Sequence, residues 1–98
     1  MSLQLPSDVE HVRTTKVFDE ATVPAGLLAA HRIAPGVWGR LLVHAGLLVF
    51  RFEDEPERAQ TLEAGGALVI PPGRPHRIEL DGSPVAFAIE FHREKPSI

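Results

Sequence analysis

The chain contains no cysteine. That excludes disulfides, thiolate nucleophiles, iron–sulfur clusters and Cys-built zinc sites, so any bound metal must be held by nitrogen and oxygen donors. It has no block of Lys or Arg. Ten basic residues are scattered among thirteen acidic ones for a net charge of −3, and the electrostatic footprint of a nucleic-acid-binding protein is missing. No apolar run reaches the length of about 18 residues that marks a transmembrane helix. The first residues, Met1-Ser2-Leu3-Gln4-Leu5-Pro6, lack the charged and apolar regions of a signal peptide. We therefore expect neither nucleic acid nor membrane as a partner, and the cytoplasm as the location.

What is present is a 98-residue chain, 44% hydrophobic, with a mean hydropathy near zero. That suits a globular protein and not a disordered tail. The length predicts a single domain over 1–98, with one core and little to spare. Nine Pro and eight Gly cut the chain into short segments that alternate with period two, the pattern of a sandwich or barrel. Strands are expected at 27–33, 38–44, 47–53, 60–63, 67–70, 76–80 and 85–92. Turns are expected at Val23-Pro24-Ala25-Gly26, Pro35-Gly36, Ala45-Gly46, Gly65-Gly66, Pro71-Pro72-Gly73 and Asp81-Gly82. Ser7-Asp8-Val9-Glu10 satisfies a helix capping box but leads equally well into an edge strand through Val12-Arg13-Thr14-Thr15; an extended arm or strand is the preferred reading. The charges of Glu53–Arg58 read as a solvated loop.

Alternation assigns faces. Leu48, Phe50 and Phe52 share one. In the last strand Val85, Phe87, Ile89 and Phe91 share one face, and Ala86, Ala88, Glu90 and His92 the other. The small residues beside a carboxylate leave room for a ligand on the second face. The fully apolar first face, with Trp38 nearby, exceeds what a small core needs and predicts a two-fold homodimer.

The segment Gly65-Gly66-Ala67-Leu68-Val69-Ile70-Pro71-Pro72-Gly73-Arg74-Pro75-His76 matches the second cupin motif, G-x5-P-x-G-x2-H, at every fixed position through the His. A strand runs into a Pro-Gly turn and the next strand opens with His at the barrel mouth. The Asn that normally follows is replaced by Leu80. The first motif is degraded: Gly46 stands where the hairpin Gly belongs, but Gly39 occupies the place of the Glu seven residues earlier, and the only His upstream of it, apart from the N-terminal His11, is His31. Those departures, with Pro24-Ala25-Gly26-Leu27-Leu28, Gly36-Val37-Trp38-Gly39-Arg40-Leu41, Pro72-Gly73-Arg74-Pro75-His76-Arg77-Ile78-Glu79 and Phe87-Ala88-Ile89-Glu90-Phe91, make the chain resemble the TehB/YeaR-like cupins over nearly its whole length. The resemblance implies an all-β cupin-type jelly-roll barrel, a link to tellurite or nitrosative stress, and a divalent metal. Methyl transfer does not carry over, because the chain shows no glycine-rich nucleotide loop.

Five His are available, and His76 is the leading candidate ligand, since His is the commonest metal-binding side chain. The competing reading is a structural His satisfied by turn carbonyls. His31 is balanced between ligand and ordinary strand position. Glu90, between Ile89 and Phe91, needs a partner if buried: a metal, or an Arg such as Arg40 or Arg77. Glu79 is a lesser candidate, since ideal alternation puts it opposite His76; His92 reads as a solvated His near the chain end, and His44 and His11 as surface residues. If Gly39 points inward, Trp38 and Arg40 point away from the pocket. A His31, His76, Glu90 set would suit zinc or non-haem Fe(II) with open positions, acting on or binding a small molecule. The alternatives are a non-catalytic module for a small oxyanion or stress metabolite, and an accessory partner of a separate methyltransferase.

Overall fold

The computed structural model describes residues 4–95, so the Met1-Ser2-Leu3 start lies outside the described residues. Its strands are β1 (Val9–Thr14), β2 (Phe18–Asp19), β3 (Val37–Ala45), β4 (Leu47–Phe52), β5 (Gln60–Glu63), β6 (Ala67–Ile70), β7 (His76–Glu79) and β8 (Ala86–Glu94). No α-helix occurs among the described residues, and the one helical element is a 3-10 turn, Ala25–Leu28. Among the described residues no helix is long and apolar enough to cross a membrane.

Two antiparallel sheets face one another. The larger runs β1-β8-β3-β6, with β2 also on β8; the smaller runs β5-β4-β7. This is the all-β, cupin-type jelly roll that the motif predicts. β1 and β2 follow one another along the same edge of β8: Thr14 sits opposite Glu90, and Phe18 opposite Phe87. Between them Thr15 keeps the ladder satisfied, its N–H donating to the Ile89 carbonyl and its hydroxyl accepting the Ile89 N–H. At Gly46 the chain leaves the larger sheet for the smaller. Gly46 has φ +73, and a Cβ there would collide with the backbone carbonyl of Pro84, so this corner admits only glycine.

The core fills the space between the sheets. Leu41 and Val43 of β3, Phe87 and Ile89 of β8, and Ile70 of β6 meet Leu48, Phe50 and Phe52 of β4 and Ile78 of β7. Phe50 and Phe87 are fully buried, each worth about 1.5–3 kcal/mol of transfer free energy. Two expectations are corrected here. The apolar face of β8 is the chain's own core: Val85, Phe87 and Ile89 are buried and Phe91 packs against them. A homodimer therefore lacks the surface on which it was expected. The strand expected at 27–33 is not one. Pro24 caps the 3-10 turn that buries Leu27, and Ala30 sits at φ +41, which breaks any extended run. Only His31 keeps strand pairing, in an isolated bridge to His76.

Candidate functional site

The cupin turn does what its residues dictate. Pro71 and Pro72 end β6, Gly73 takes φ +70, and the chain turns back so that His76 opens β7 in the smaller sheet. The segment carrying His31 docks on that opening. His31 N–H donates to the His76 carbonyl (2.8 Å), His76 N–H donates to the His31 carbonyl (2.9 Å), and Gly73 N–H donates to the Ile33 carbonyl (2.9 Å). This closely paired backbone puts the two imidazoles on one face. Their ring centroids are 5.2 Å apart in an edge-on arrangement, and His31 Nδ1 lies 3.3 Å from His76 Nε2.

His76 is 1% exposed and stacks on Phe50 at 5.3 Å. Its Nδ1 lies 3.0 Å from the Arg74 carbonyl. A carbonyl only accepts, so Nδ1 carries the proton and Nε2 presents a lone pair toward His31. Burial pushes the His76 pKa down; the Arg74 carbonyl partly opposes this, and the neighbouring His31 adds to it. Burial also lowers the pKa of His31. Both rings are therefore neutral at neutral pH, the form that binds a metal or shares a single proton between facing nitrogens.

The pair looks into a cavity of about 170 Å³ walled by Phe18, Leu27, Ile33, Ile70, Ile89 and Phe91, with Arg13 and Thr15 at its edge. An engineered apolar cavity of about 150 Å³ accommodates benzene, so the space fits a small organic body. Gly39 faces this cavity: a Cβ there would lie 2.6 Å from Ile33 Cδ1 and 3.5 Å from Ile70 Cβ. Where a cupin glutamate would enter, Ile33 fills the room.

Glu90 does not join the histidines. Residues on its two sides, Ile89 and Phe91, line the cavity, whereas Glu90 projects from the opposite face of β8. It pairs with Arg40 (3.4 Å) and His92 (3.3 Å). Burial raises its pKa, but hydrogen bonds from His92 and Arg40 outweigh that and leave it lowered. The expected set of three is thereby reduced to two, for a reason of strand parity: small Ala86 and Ala88 mark the outer face, and the large apolar residues the inner one. Glu79 projects from the outer face of the smaller sheet, its pKa lowered by hydrogen bonds from Arg51 and Arg77. Among the described residues, no group of three His, Asp or Glu gathers as a metal site. His92 stands edge-on to His11 across the β1–β8 pair, at 5.4 Å. Arg40 lines a separate surface concavity with Arg58 and Arg74. Sequence reasoning missed Arg13, Phe18 and Phe91 as lining residues. The period-two register of Arg13 with Phe91 would have found Arg13 only once the β1–β8 pairing was known.

A β-jelly roll with a histidine pair beneath the second cupin motif defines the class as a small cupin domain. The family model for the TehB-like domain matches residues 13–89, and the chain belongs to that family. It is 34% identical over 97 residues to YeaR of Escherichia coli K12, an uncharacterized protein, covering 91% of this chain and 82% of YeaR. A crystal structure of an Escherichia coli K12 protein superposes with a TM-score of 0.89 at 31% identity, covering 98% of this chain and 92% of that one. TehB of Haemophilus influenzae superposes with a TM-score of 0.80 at 18% identity, over 90% of this chain and 32% of TehB; that likeness is one of fold.

Proposed function

We propose that this chain is a small-molecule-binding cupin domain centred on the His31–His76 pair, and that the pair holds a divalent metal, zinc or Fe(II). The observation that carries the reading is the meeting of two neutral imidazole nitrogens 3.3 Å apart on an apolar cavity. Two nitrogens each about 2.0–2.1 Å from one tetrahedral zinc stand about 3.3–3.4 Å apart, so the donor spacing fits. With two protein ligands, most of the coordination shell is left to water or to the bound molecule. A metal held there would supply Lewis acidity, or redox chemistry in the case of iron. The protein's own part is to keep both rings neutral, to fix the His76 tautomer through the Arg74 carbonyl, and to exclude bulk water with Leu27, Ile33 and Ile89. A role in tellurite or nitrosative stress in the cytoplasm, implied by the family resemblance, belongs to the same proposal.

The test is elemental analysis and zinc titration of protein purified without a His-tag. His76→Ala and His31→Ala should each abolish most of the metal binding, and Glu90→Gln should leave it unchanged. Unaltered zinc binding in both His variants would overturn the metal assignment. One observation favours a second reading, a metal-free binding module: the facing nitrogens already satisfy one another, and no third ligand is gathered among the described residues. Under that reading, a ligand still binds in the presence of a chelator. An accessory role beside a separate methyltransferase would appear as co-purification of the two chains.

A further inference from the structure

Most arginines of this chain are committed. Arg40, Arg51, Arg58, Arg74, Arg77 and Arg93 each have a carboxylate within ion-pair distance. Among the described residues Arg13 and Arg32 have none, and these two converge on one place. Arg13 lies over the Phe91 ring at 4.9 Å, at the edge of the histidine cavity. Arg32 donates from Nη1 to the Gly73 carbonyl (3.0 Å), the turn on which the His31 segment docks. An outer groove of about 460 Å³ adjoins the cavity and shares Arg13, His31, Ile33 and Phe91 with it; Arg32 and Arg93 complete its cationic rim. No Asp or Glu lines either space, although the chain as a whole carries a net charge of −3.

Other polar groups at the cavity are largely committed, His31 Nδ1 and His76 Nε2 to one another. The Thr15 hydroxyl accepts from Ile89 and donates to the Lys16 carbonyl, and His76 Nδ1 is held by Arg74. An entering molecule therefore meets two guanidinium groups without carboxylate partners at the mouth, and within it a mostly apolar wall interrupted by the two imidazoles. Guanidinium pairs with carboxylate in a bidentate fork, whereas an apolar wall rewards only an apolar body.

We infer that this mouth selects small organic monoanions: a carboxylate on an apolar body no larger than a benzene ring, with the body in the inner cavity and the charge at Arg13 and Arg32. This deepens the small-molecule reading and rests on the histidine cavity being the ligand site. The metal is not needed for it.

The test is an NMR titration of the intact chain with benzoate, with benzamide as its neutral counterpart and inorganic phosphate as an anion without an apolar body, all with a chelator present. Benzoate should shift the His31 ring and the Leu27, Ile33 and Ile89 methyls saturably. Benzamide should bind about fivefold more weakly, the upper worth of one exposed charge pair, and phosphate should leave the methyls unmoved. The Arg13→Gln, Arg32→Gln double variant should lose about tenfold in benzoate affinity and none for benzamide, with Arg58→Gln unchanged. Equal affinity for benzoate and benzamide, an unaffected double variant, methyl shifts with phosphate, or no benzoate shift at the cavity would each overturn the inference. Zinc titration of the wild-type chain separates the two proposals. Equal affinity for benzoate and benzamide in a chain that still binds zinc sinks only the anion assignment; wild-type selectivity for benzoate in a chain that binds no zinc sinks only the metal.

Discussion

Acidification should destabilise this fold in a window where its carboxylates are still ionised. His31 and His76 both have folded-state pKa values below the ordinary imidazole value, chiefly because burial disfavours the cation. In the unfolded chain each titrates near about 6.5. Between the unfolded and the folded pKa, the unfolded state binds more protons, so stability is whole above about pH 6.5 and falls as the pH drops toward the folded values. The slope cannot exceed about 1.4 kcal/mol per pH unit for one histidine, or about 2.7 for two. With an m-value of about 1–1.5 kcal/mol/M in urea, losing 1.4 kcal/mol would move the midpoint by about 1 M. The carboxylates whose pKa values are lowered, among them Glu79 and Asp19, contribute stability that is lost only below about pH 4.5, outside this window. Urea melts with a chelator present, from about pH 7.5 to about pH 5, would measure the slope. His76→Phe keeps a ring against Phe50 but cannot titrate; it should be less stable at neutral pH, with the Arg74 carbonyl left unpaired, yet markedly flatter with pH. His31→Gln should remove a smaller part of the slope. A wild-type slope retained in His76→Phe, or stability that rises on acidification, would refute the argument.

Gly46→Ala should cost more than about 2 kcal/mol, since the left-handed φ alone costs about 1–2 and the added Cβ meets backbone at Pro84; a urea midpoint within error of wild type would contradict this. Glu90→Gln should lower stability by less than about 1 kcal/mol, because Arg40 is partly exposed and the pair is solvent-screened. A loss several times larger in the same assay would mean the outer-face cluster is structural.

The motif-bearing half of the chain was legible because its constraints are local. Gly65 to His76 must form strand, turn and strand, since Pro and Gly fix the dihedrals there, and β6 and β7 fall at Ala67–Ile70 and His76–Glu79. Alternation in β8 correctly separated Glu90 and His92 from Phe87 and Ile89, but which set looks inward is decided by the packing of β8 onto β4 and β7, far away in sequence. The small Ala86 and Ala88 read as room for a ligand; they are the outer side of a covered strand. Around His31 the apolar run allowed a strand, and Pro24 with Ala30 decided for a 3-10 turn and a lone bridge. Arg13 and Arg32 were invisible as a pair because only the closure of β1 onto β8 and of the 31–33 segment onto the cupin turn brings them together.

The replaced glutamate of the first cupin motif gives the sharpest check on the site. Gly39 is opposite Ile70 in the β3–β6 pair and opposite Phe91 in the β3–β8 pair, so its missing side chain would emerge on the cavity side. Ile33 Cδ1, 2.6 Å from the virtual Cβ, is the far end of a movable side chain and not backbone. Gly39→Glu alone should therefore be overpacked, by about 1–3 kcal/mol. Gly39→Glu with Ile33→Ala vacates that volume and directs a carboxylate toward His31 and His76, which line the same cavity as Ile33 and Ile70. If the two histidines are metal ligands short of a third, zinc affinity in the double variant should rise at least about tenfold, as even an outer-shell partner is typically worth that much. Ile33→Ala by itself should leave affinity unchanged. A folded double variant with wild-type zinc affinity would show that the histidine pair is not metal-binding, and that its facing nitrogens serve only to tie the His31 segment to the cupin turn.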